Sequence, residues 1–392
     1  MTDALALSGW RERAAALTAQ LADAGILTYP RWRAAFEQTP RHLFVPRFYR
    51  ADGTVVLGSD PATVEEWLST VYSDDSLIVQ RAPVPGVDRE LATSSSTMPS
   101  LMARMLHLLE VGDASRVLEI GTATGYNAAL LCHRLGAEQV TSIELHPELA
   151  ATAAQHLTRL GLRPALAVGD GAHGVPDHAP YDRILATCAV PAIPPAWIEQ
   201  LTPGGRIVTD LRSEMSSSLA VLDKTTPDTV QGRLLDQPGH FMWLRPDPAS
   251  PLLRPGDMRL VIHHDGDNDT RTTDLDLQVL AEPGLRALLG ILEPALQPPS
   301  HRPGDARNTW FLFTTDNSWA EITTGDTTHT VTEGGPRRIW PAVEQAFAEW
   351  HRLGRPGRGR YGLTSSTNGT HDYWLDHPDQ HILADTTARS NG

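Results

Sequence analysis

Between residues 116 and 210 the chain alternates short apolar runs with stretches of helical period, and this alternation leaves little choice of fold. Strands at 116–120, 139–143, 165–168, 182–186 and 206–210 are separated by helices at 126–135, 147–160 and 195–201. A βαβα rhythm of this kind predicts a parallel sheet with helices on both faces, because parallel neighbours need a crossover and the helix supplies it. Two further strands, at 217–223 and 228–235, are expected to close this Rossmann-like α/β core near Pro246.

The flanks read differently. Apolar residues at helical spacing over 10–24 stop at Gly25, and a short helix follows over 30–37. Residues 51–90 carry Gly, Pro and Asp around short apolar runs at 54–57 and 76–79, as expected of a lid made of loops and short strands. A helix over 98–109 holds Pro99 in its first turn, where a missing N–H costs nothing. Residues 246–310 are rich in Pro, Asp and Arg, with helical pieces at 274–280 and 283–292. Beyond them, β-prone runs at 310–314, 319–323 and 328–332 precede an amphipathic helix over 340–353, which together make a smaller α+β extension. The expected division is a helical and lid segment at 1–92, a Rossmann-like core at 93–245 and an extension at 246–392 that recognises peptide.

Composition narrows the function. The 392 residues carry a formal charge of −14, a poor match for a nucleic-acid backbone or an anionic membrane surface, both of which call for clustered Lys and Arg. The first residues show no basic stretch followed by an apolar run, and no run of about 18 apolar residues occurs, so the expected location is the cytoplasm. Cys132 and Cys188 lie far apart in apolar surroundings and read as buried thiols. Neither they nor His107, His133 and His173 have metal-ligand spacing, and no metal site is expected.

The chemistry concentrates after the strands. Val117-Leu-Glu119-Ile-Gly121-Thr122-Ala-Thr-Gly125-Tyr126 places glycines where a backbone must turn tightly and let a ligand approach. Glu144, followed by Leu145, ends the second strand, where a carboxylate can accept from both ribose hydroxyls. Asp170-Gly171 follows the third strand, within reach of an adenine amino group, and residues 186–189 follow the fourth at the reaction face. The pattern is Gly-x-x-x-Gly rather than Gly-x-Gly-x-x-Gly, and Glu119 would repel a pyrophosphate. A cationic sulfonium cofactor suits these acidic surroundings better than a dinucleotide does.

A family resemblance emerges from these motifs. Arg41-His-Leu-Phe44-Val45-Pro46, Thr97-Met98-Pro99-Ser-Leu-Met102, Val117 to Gly125, Asp170-Gly171 and Leu201-x-Pro203-Gly204-Gly205 resemble protein-L-isoaspartate O-methyltransferases, in that family's order, over about residues 30–245. The resemblance implies S-adenosylmethionine as methyl donor and a carboxylate of an aspartyl or isoaspartyl residue as acceptor, whose ester can close to a succinimide. It implies cofactor contacts from Glu119, Gly121, Thr122, Gly125, Tyr126, Glu144, Leu145, Asp170 and Gly171. It implies catalytic positions at Thr97 and Ser96, and substrate contacts from Val45, Pro46, Ser95, Met98, Ala189 and Val190.

Two departures from the family matter. Thr97 stands where the family usually has Ser; the hydroxyl is kept and the added methyl narrows the site. Thr97 could equally cap the helix that follows it. The extension from Pro246 is the second, since the repair enzyme is similar to the first part only. The full architecture looks like homologues encoded with ribosomal peptide maturation systems (graspetides, lanthipeptides, lasso peptides). There the resemblance implies methylation of an ordinary Asp in a cyclised precursor peptide, ending in aspartimide. The polar stretch 362–375 beside Trp310, Trp319, Trp340 and Trp350 suits peptide binding, although the same Trp residues would serve as core, and Arg352, Arg355, Arg358 and Arg360 could meet an acidic peptide. Isoaspartate repair and non-catalytic escort of a precursor are the competing functions. The sequence leaves the oligomeric state open.

Overall fold

The computed structural model describes residues 9–84, 87–248, 250, 268–301 and 309–382. Three helices open the chain: α1 (Trp10–Asp23), α2 (Pro30–Gln38) and α3 (Arg41–Phe44). Trp10, Ala14, Leu17, Thr18 and Leu21 form one buried stripe of α1, the spacing that helical geometry places on one side. Pro30 sits at the first turn of α2, where its fixed φ is already helical. The lid region is more ordered than loops. Strands β1 (Arg47–Tyr49) and β2 (Val55–Leu57), helix α4 (Val64–Val71), and the long strands β3 (Leu77–Val84) and β4 (Val87–Ser96) build an antiparallel sheet in the order β2-β1-β3-β4. Helix α5 (Pro99–Leu108) then leads into the core.

The core runs β5 (Val117–Ile120), α6 (Tyr126–Leu135), β6 (Val140–Glu144), α7 (Pro147–Arg159), β7 (Ala165–Val168), β8 (Tyr181–Val190), α8 (Pro195–Glu199), β9 (Leu201–Arg212), β10 (Ser217–Thr226) and β11 (Thr229–Leu234). The pairs β7-β6, β6-β5, β5-β8 and β8-β9 are parallel, and β10 and β11 add antiparallel strands. Sequence order reverses beside β5, so the crevice for a ligand lies beyond the carboxyl ends of β5, β6 and β8. Period-two alternation sorts the strand side chains. Leu185 and Val208 pack with the N-terminal helices, whereas Ile184 and Ile207 pack with the extension on the other face.

The extension holds β12 (Asp269–Thr273), α9 (Pro283–Leu292), β13 (Ser300–His301), β14 (Thr309–Phe313), β15 (Trp319–Thr323), β16 (His329–Gly334), α10 (Trp340–Arg352), β17 (Tyr361–Ser366) and β18 (His371–Leu375). Five of these strands form a second antiparallel sheet, β12-β16-β15-β14-β13. The last two do not: β17 pairs with β11, Val230 facing Ser365, and β18 completes a nine-stranded main sheet. The sheet thus crosses the boundary expected at residue 245. Trp319, Trp340 and Trp350 are buried in the extension's core, and Trp340 shares one apolar cluster with Ile184 and Ile207. The four arginines are bound within the chain: Arg352 to Glu349, Arg355 to His351, Arg358 to the Asp236 carbonyl and Arg360 to Asp376. No helix among the described residues is long and apolar enough to cross a membrane.

Candidate active site

At the carboxyl ends of β5, β6 and β8 lies a cavity of about 610 Å³, walled by the end of β4, the β5–α6 loop, residues 143–146, Gly171, Thr187, Cys188 and the segment 239–246. Its volume falls within the roughly 300–1,000 Å³ of small-molecule and cofactor sites. The loop after β5 turns on Gly121, at φ 97; a Cβ there would stand 2.8 Å from the Thr187 hydroxyl. Gly171 is equally constrained, since its Cβ would fall 2.5 Å from Ile120 Cγ2.

Two acidic groups line this cavity, Glu119 and Glu144, and a third, Asp170, stands behind its wall. Glu119 is fully buried; it accepts from Asn127 Nδ2 at 2.6 Å and from the Ser142 hydroxyl at 2.5 Å. Burial raises its carboxyl to about 7, against the lowering effect of both hydrogen bonds, and the Glu144 charge raises it further. Glu144 is gripped by the main chain: Ala123 N–H donates to one oxygen at 2.8 Å and His146 N–H to the other at 3.0 Å. Each oxygen keeps a free lone pair, the requirement for receiving a diol. Asp170 accepts from Ala172 N–H at 2.8 Å and so fixes the turn that presents Gly171. One acceptor is left over: Asn127 Oδ1 is buried on a residue of the cavity wall and has no partner among the described residues. Backbone pared to glycine, a diol-ready carboxylate, a buried carboxyl and an orphaned acceptor fit the ribose and the cationic methionyl end of S-adenosylmethionine.

Another part of the cavity wall is made by Ser94, Ser95, Ser96 and Thr97. The Thr97 hydroxyl makes no hydrogen bond among the described residues. It does not cap α5; Asp74 does, accepting from Ser100 N–H at 2.7 Å, while Ser76 accepts from Met98 N–H at 3.1 Å. The wall is held from behind by Arg41. Its buried guanidinium donates to the carbonyls of Val71, Ser73, Asp75, Ser96 and Thr97 and to the Ser96 hydroxyl, at 3.0–3.4 Å.

Of the residues singled out in the sequence, Ser95, Ser96, Thr97, Glu119, Gly121, Thr122, Tyr126, Glu144, Leu145 and Gly171 line this one cavity. Others stand apart from it. Gly125 starts α6 at φ 85 with Ala153 close against it, and Asp170 braces its turn. Five of the expected substrate contacts do not line the cavity, each for a reason of packing. Val45 is buried, its carbonyl accepting from Trp67 Nε1, and Pro46 is exposed at the foot of β1. Ala189 and Val190 are buried within β8, where Ala189 pairs through its main chain with Met242 and Leu244. Met98, half-buried, precedes α5 away from the cavity. Sequence reasoning missed Arg41, Asn127, Arg212 and Trp243. Arg41 stood inside a quoted motif and Asn127 directly after one; the last two come together only when β9 and the segment after β11 meet.

A second cavity of about 810 Å³ adjoins the first, with Arg212 and Trp243 lining both. The extension supplies much of its wall, from Gly290 to Ala295 and from the β17–β18 hairpin, including Thr370, His371 and Tyr373. His371 Nε2 accepts from Ile193 N–H at 2.9 Å, and Nδ1 therefore carries the proton facing the Gly369 carbonyl.

Comparison with known proteins agrees with this geometry. Residues 61–237 match the family model of protein-L-isoaspartate(D-aspartate) O-methyltransferase. The protein-L-isoaspartate O-methyltransferase of Aeropyrum pernix is 32% identical over 227 residues, 57% of this chain and 76% of the relative. Protein-L-isoaspartate O-methyltransferase 1 of Syntrophobacter fumaroxidans is 34% identical over 216 residues, 53% of this chain and 86% of its own. A solved protein-L-isoaspartate O-methyltransferase shares the fold with a TM-score of 0.54 at 22% identity, over 94% of this chain and 100% of its own. That match runs into the extension, so the expectation that such an enzyme resembles the first part only is corrected at the level of fold. Sequence, fold and cavity converge: the chain belongs to the protein-L-isoaspartate O-methyltransferase family and is an S-adenosylmethionine-dependent methyltransferase.

Proposed function

We propose that this enzyme esterifies the side-chain carboxylate of an Asp in a ribosomally made, cyclised peptide of the cytoplasm. The observation that carries the reading is the second cavity, built largely by the extension and sharing Arg212 and Trp243 with the cofactor cavity. A peptide bound there can present one carboxylate to Thr97 while its remaining residues meet the β17–β18 hairpin.

Bound S-adenosylmethionine supplies a methyl group on a positively charged sulfur, which is left as a neutral thioether. Glu144 would hold the ribose, and Glu119 with Asn127 the methionyl end. The acceptor carboxylate is ionised near neutral pH, so no general base is required and the protein's work is orientation. The unpaired Thr97 hydroxyl donates to one carboxylate oxygen and aims the other, while Arg41 holds Ser96 and Thr97 in place. The backbone nitrogen after the esterified Asp then attacks the ester carbonyl. Methanol leaves with the nitrogen's proton, and aspartimide remains.

Repair of isoaspartyl residues is the second reading. The names of the relatives favour it, as does the solved enzyme whose fold match reaches into the extension. Mass spectrometry of two peptides treated side by side with enzyme and S-adenosylmethionine separates the readings. Methylation confined to the cyclised peptide supports maturation; methylation confined to a linear isoaspartyl peptide supports repair and overturns maturation.

A further inference from the structure

One charged group, the Arg212 guanidinium, stands at the junction of the two cavities. Arg212 is the last residue of β9 and is half-buried. Its guanidinium lies 4.8 Å from the Trp243 ring, and Nη1 donates to the Phe241 carbonyl at 2.7 Å. Nε and Nη2 make no hydrogen bond among the described residues. These two nitrogens form the side-on edge of a guanidinium, the parallel donor pair that a carboxylate accepts with both oxygens.

The surroundings fix that edge in place. Asp210, two residues earlier on β9, is fully buried and feels the Arg212 charge, but among the described residues its two oxygens hydrogen-bond elsewhere. One accepts from the Ser217 hydroxyl at 2.7 Å and the other from Phe241 N–H at 3.0 Å. Ser217 accepts in turn from Gly239 N–H at 3.2 Å and His240 N–H at 2.9 Å. Asp210 and Ser217 thereby pin the segment that carries both contacts of Arg212. The other guanidinium of the cavity wall, Arg245, donates to His146 Nε2 at 2.8 Å, on the Glu144 side.

We propose that Arg212 is the substrate's anion anchor: it receives the acceptor carboxylate as the peptide passes from the second cavity into the first. This assignment rests on the peptide-carboxylate reading above. Charge sets its kinetic signature. Methyl transfer converts a carboxylate and a sulfonium into a neutral ester and a neutral thioether, so a guanidinium beside the acceptor favours the bound ground state over the transition state. Arg212 therefore lowers KM and does not raise kcat.

The experiment uses the full-length enzyme with whichever peptide, cyclised or isoaspartyl, the wild type methylates. KM and kcat are measured for wild type, Arg212→Gln and Arg212→Lys, together with inhibition by the same peptide bearing the amide in place of the acceptor carboxylate. Arg212→Gln is expected to raise KM about 10- to 100-fold with kcat unchanged or higher and cofactor affinity unaltered. Wild type should prefer acid over amide peptide by about tenfold or more, a preference lost in Arg212→Gln and partly kept in Arg212→Lys. An Arg212→Gln enzyme that retains the wild-type KM overturns the assignment. So does one that weakens acid and amide peptides equally, which would mark Arg212 as a prop for Trp243. If the wild type methylates neither peptide, the underlying reading falls and the anchor with it, an outcome distinct from a failure of Arg212 alone.

Discussion

Asn127 donates its side-chain amide to the Glu119 carboxylate at 2.6 Å, while its own oxygen, buried on the cavity wall, has no partner among the described residues. A buried acceptor without a donor is costly, and the methionyl ammonium of the cofactor is a donor of the right charge. Asn127→Ala is expected to weaken S-adenosylmethionine binding about tenfold, read by calorimetry, with the peptide KM unchanged. Unaltered affinity would take Asn127 out of the cofactor site.

Glu119 gives a pH signature. Its folded-state carboxyl is raised from the ordinary 4.5 to about 7 by burial. Between these values the folded apoenzyme holds a proton that the unfolded chain has released, so stability falls as pH rises from about 4.5 to about 7. The effect is on the order of 3 kcal/mol and should be missing from Glu119→Gln in urea unfolding across that range. Cofactor binding runs the other way. A cationic ligand favours the ionised carboxylate, so affinity should rise with pH in wild type and stay flat in Glu119→Gln.

Arg41 joins α3 to the Ser96 and Thr97 wall of the cavity. Replacing it with Met would keep much of the volume and strand the carbonyls of Val71, Ser73, Asp75, Ser96 and Thr97. Arg41→Met is expected to cost about 4 kcal/mol by chemical denaturation and to lower activity beyond what the remaining folded fraction explains. A stable, fully active Arg41→Met would remove its positioning role.

Much of the core could be read from the residues alone because its signals are local. Helix α6 over 126–135 and strand β7 over 165–168 have the ends that periodicity predicts, and Gly121 and Glu144 sit where strand ends place a ligand. The β17–β18 hairpin was harder to see. Its Ser and Thr residues read as a polar binding stretch, yet β17 is the neighbour of β11, more than a hundred residues earlier, and a pairing of that range leaves no local pattern. Helix α4 was hidden by the Gly and Pro residues before it. Arg212 and Trp243 were invisible for a related reason: their proximity depends on Asp210 and Ser217 anchoring a segment that has no regular structure of its own.

Thr97 carries the positioning claim. Thr97→Val keeps the shape and removes the hydroxyl. It is expected to lower kcat/KM about 10- to 100-fold while cofactor affinity holds, the loss of one hydrogen bond to a charged acceptor. Full turnover would assign the orientation of the carboxylate to other groups.

Methyl transfer to a carboxylate oxygen of a peptide gives an ester, and the lability of that product in alkali is the decisive observation. Peptide treated with enzyme and methyl-labelled S-adenosylmethionine is isolated and exposed to mild alkali. The label is expected to leave as volatile methanol, with the peptide left as free acid or aspartimide. Label that stays on the peptide through alkali would mean transfer to nitrogen or carbon and would contradict ester formation.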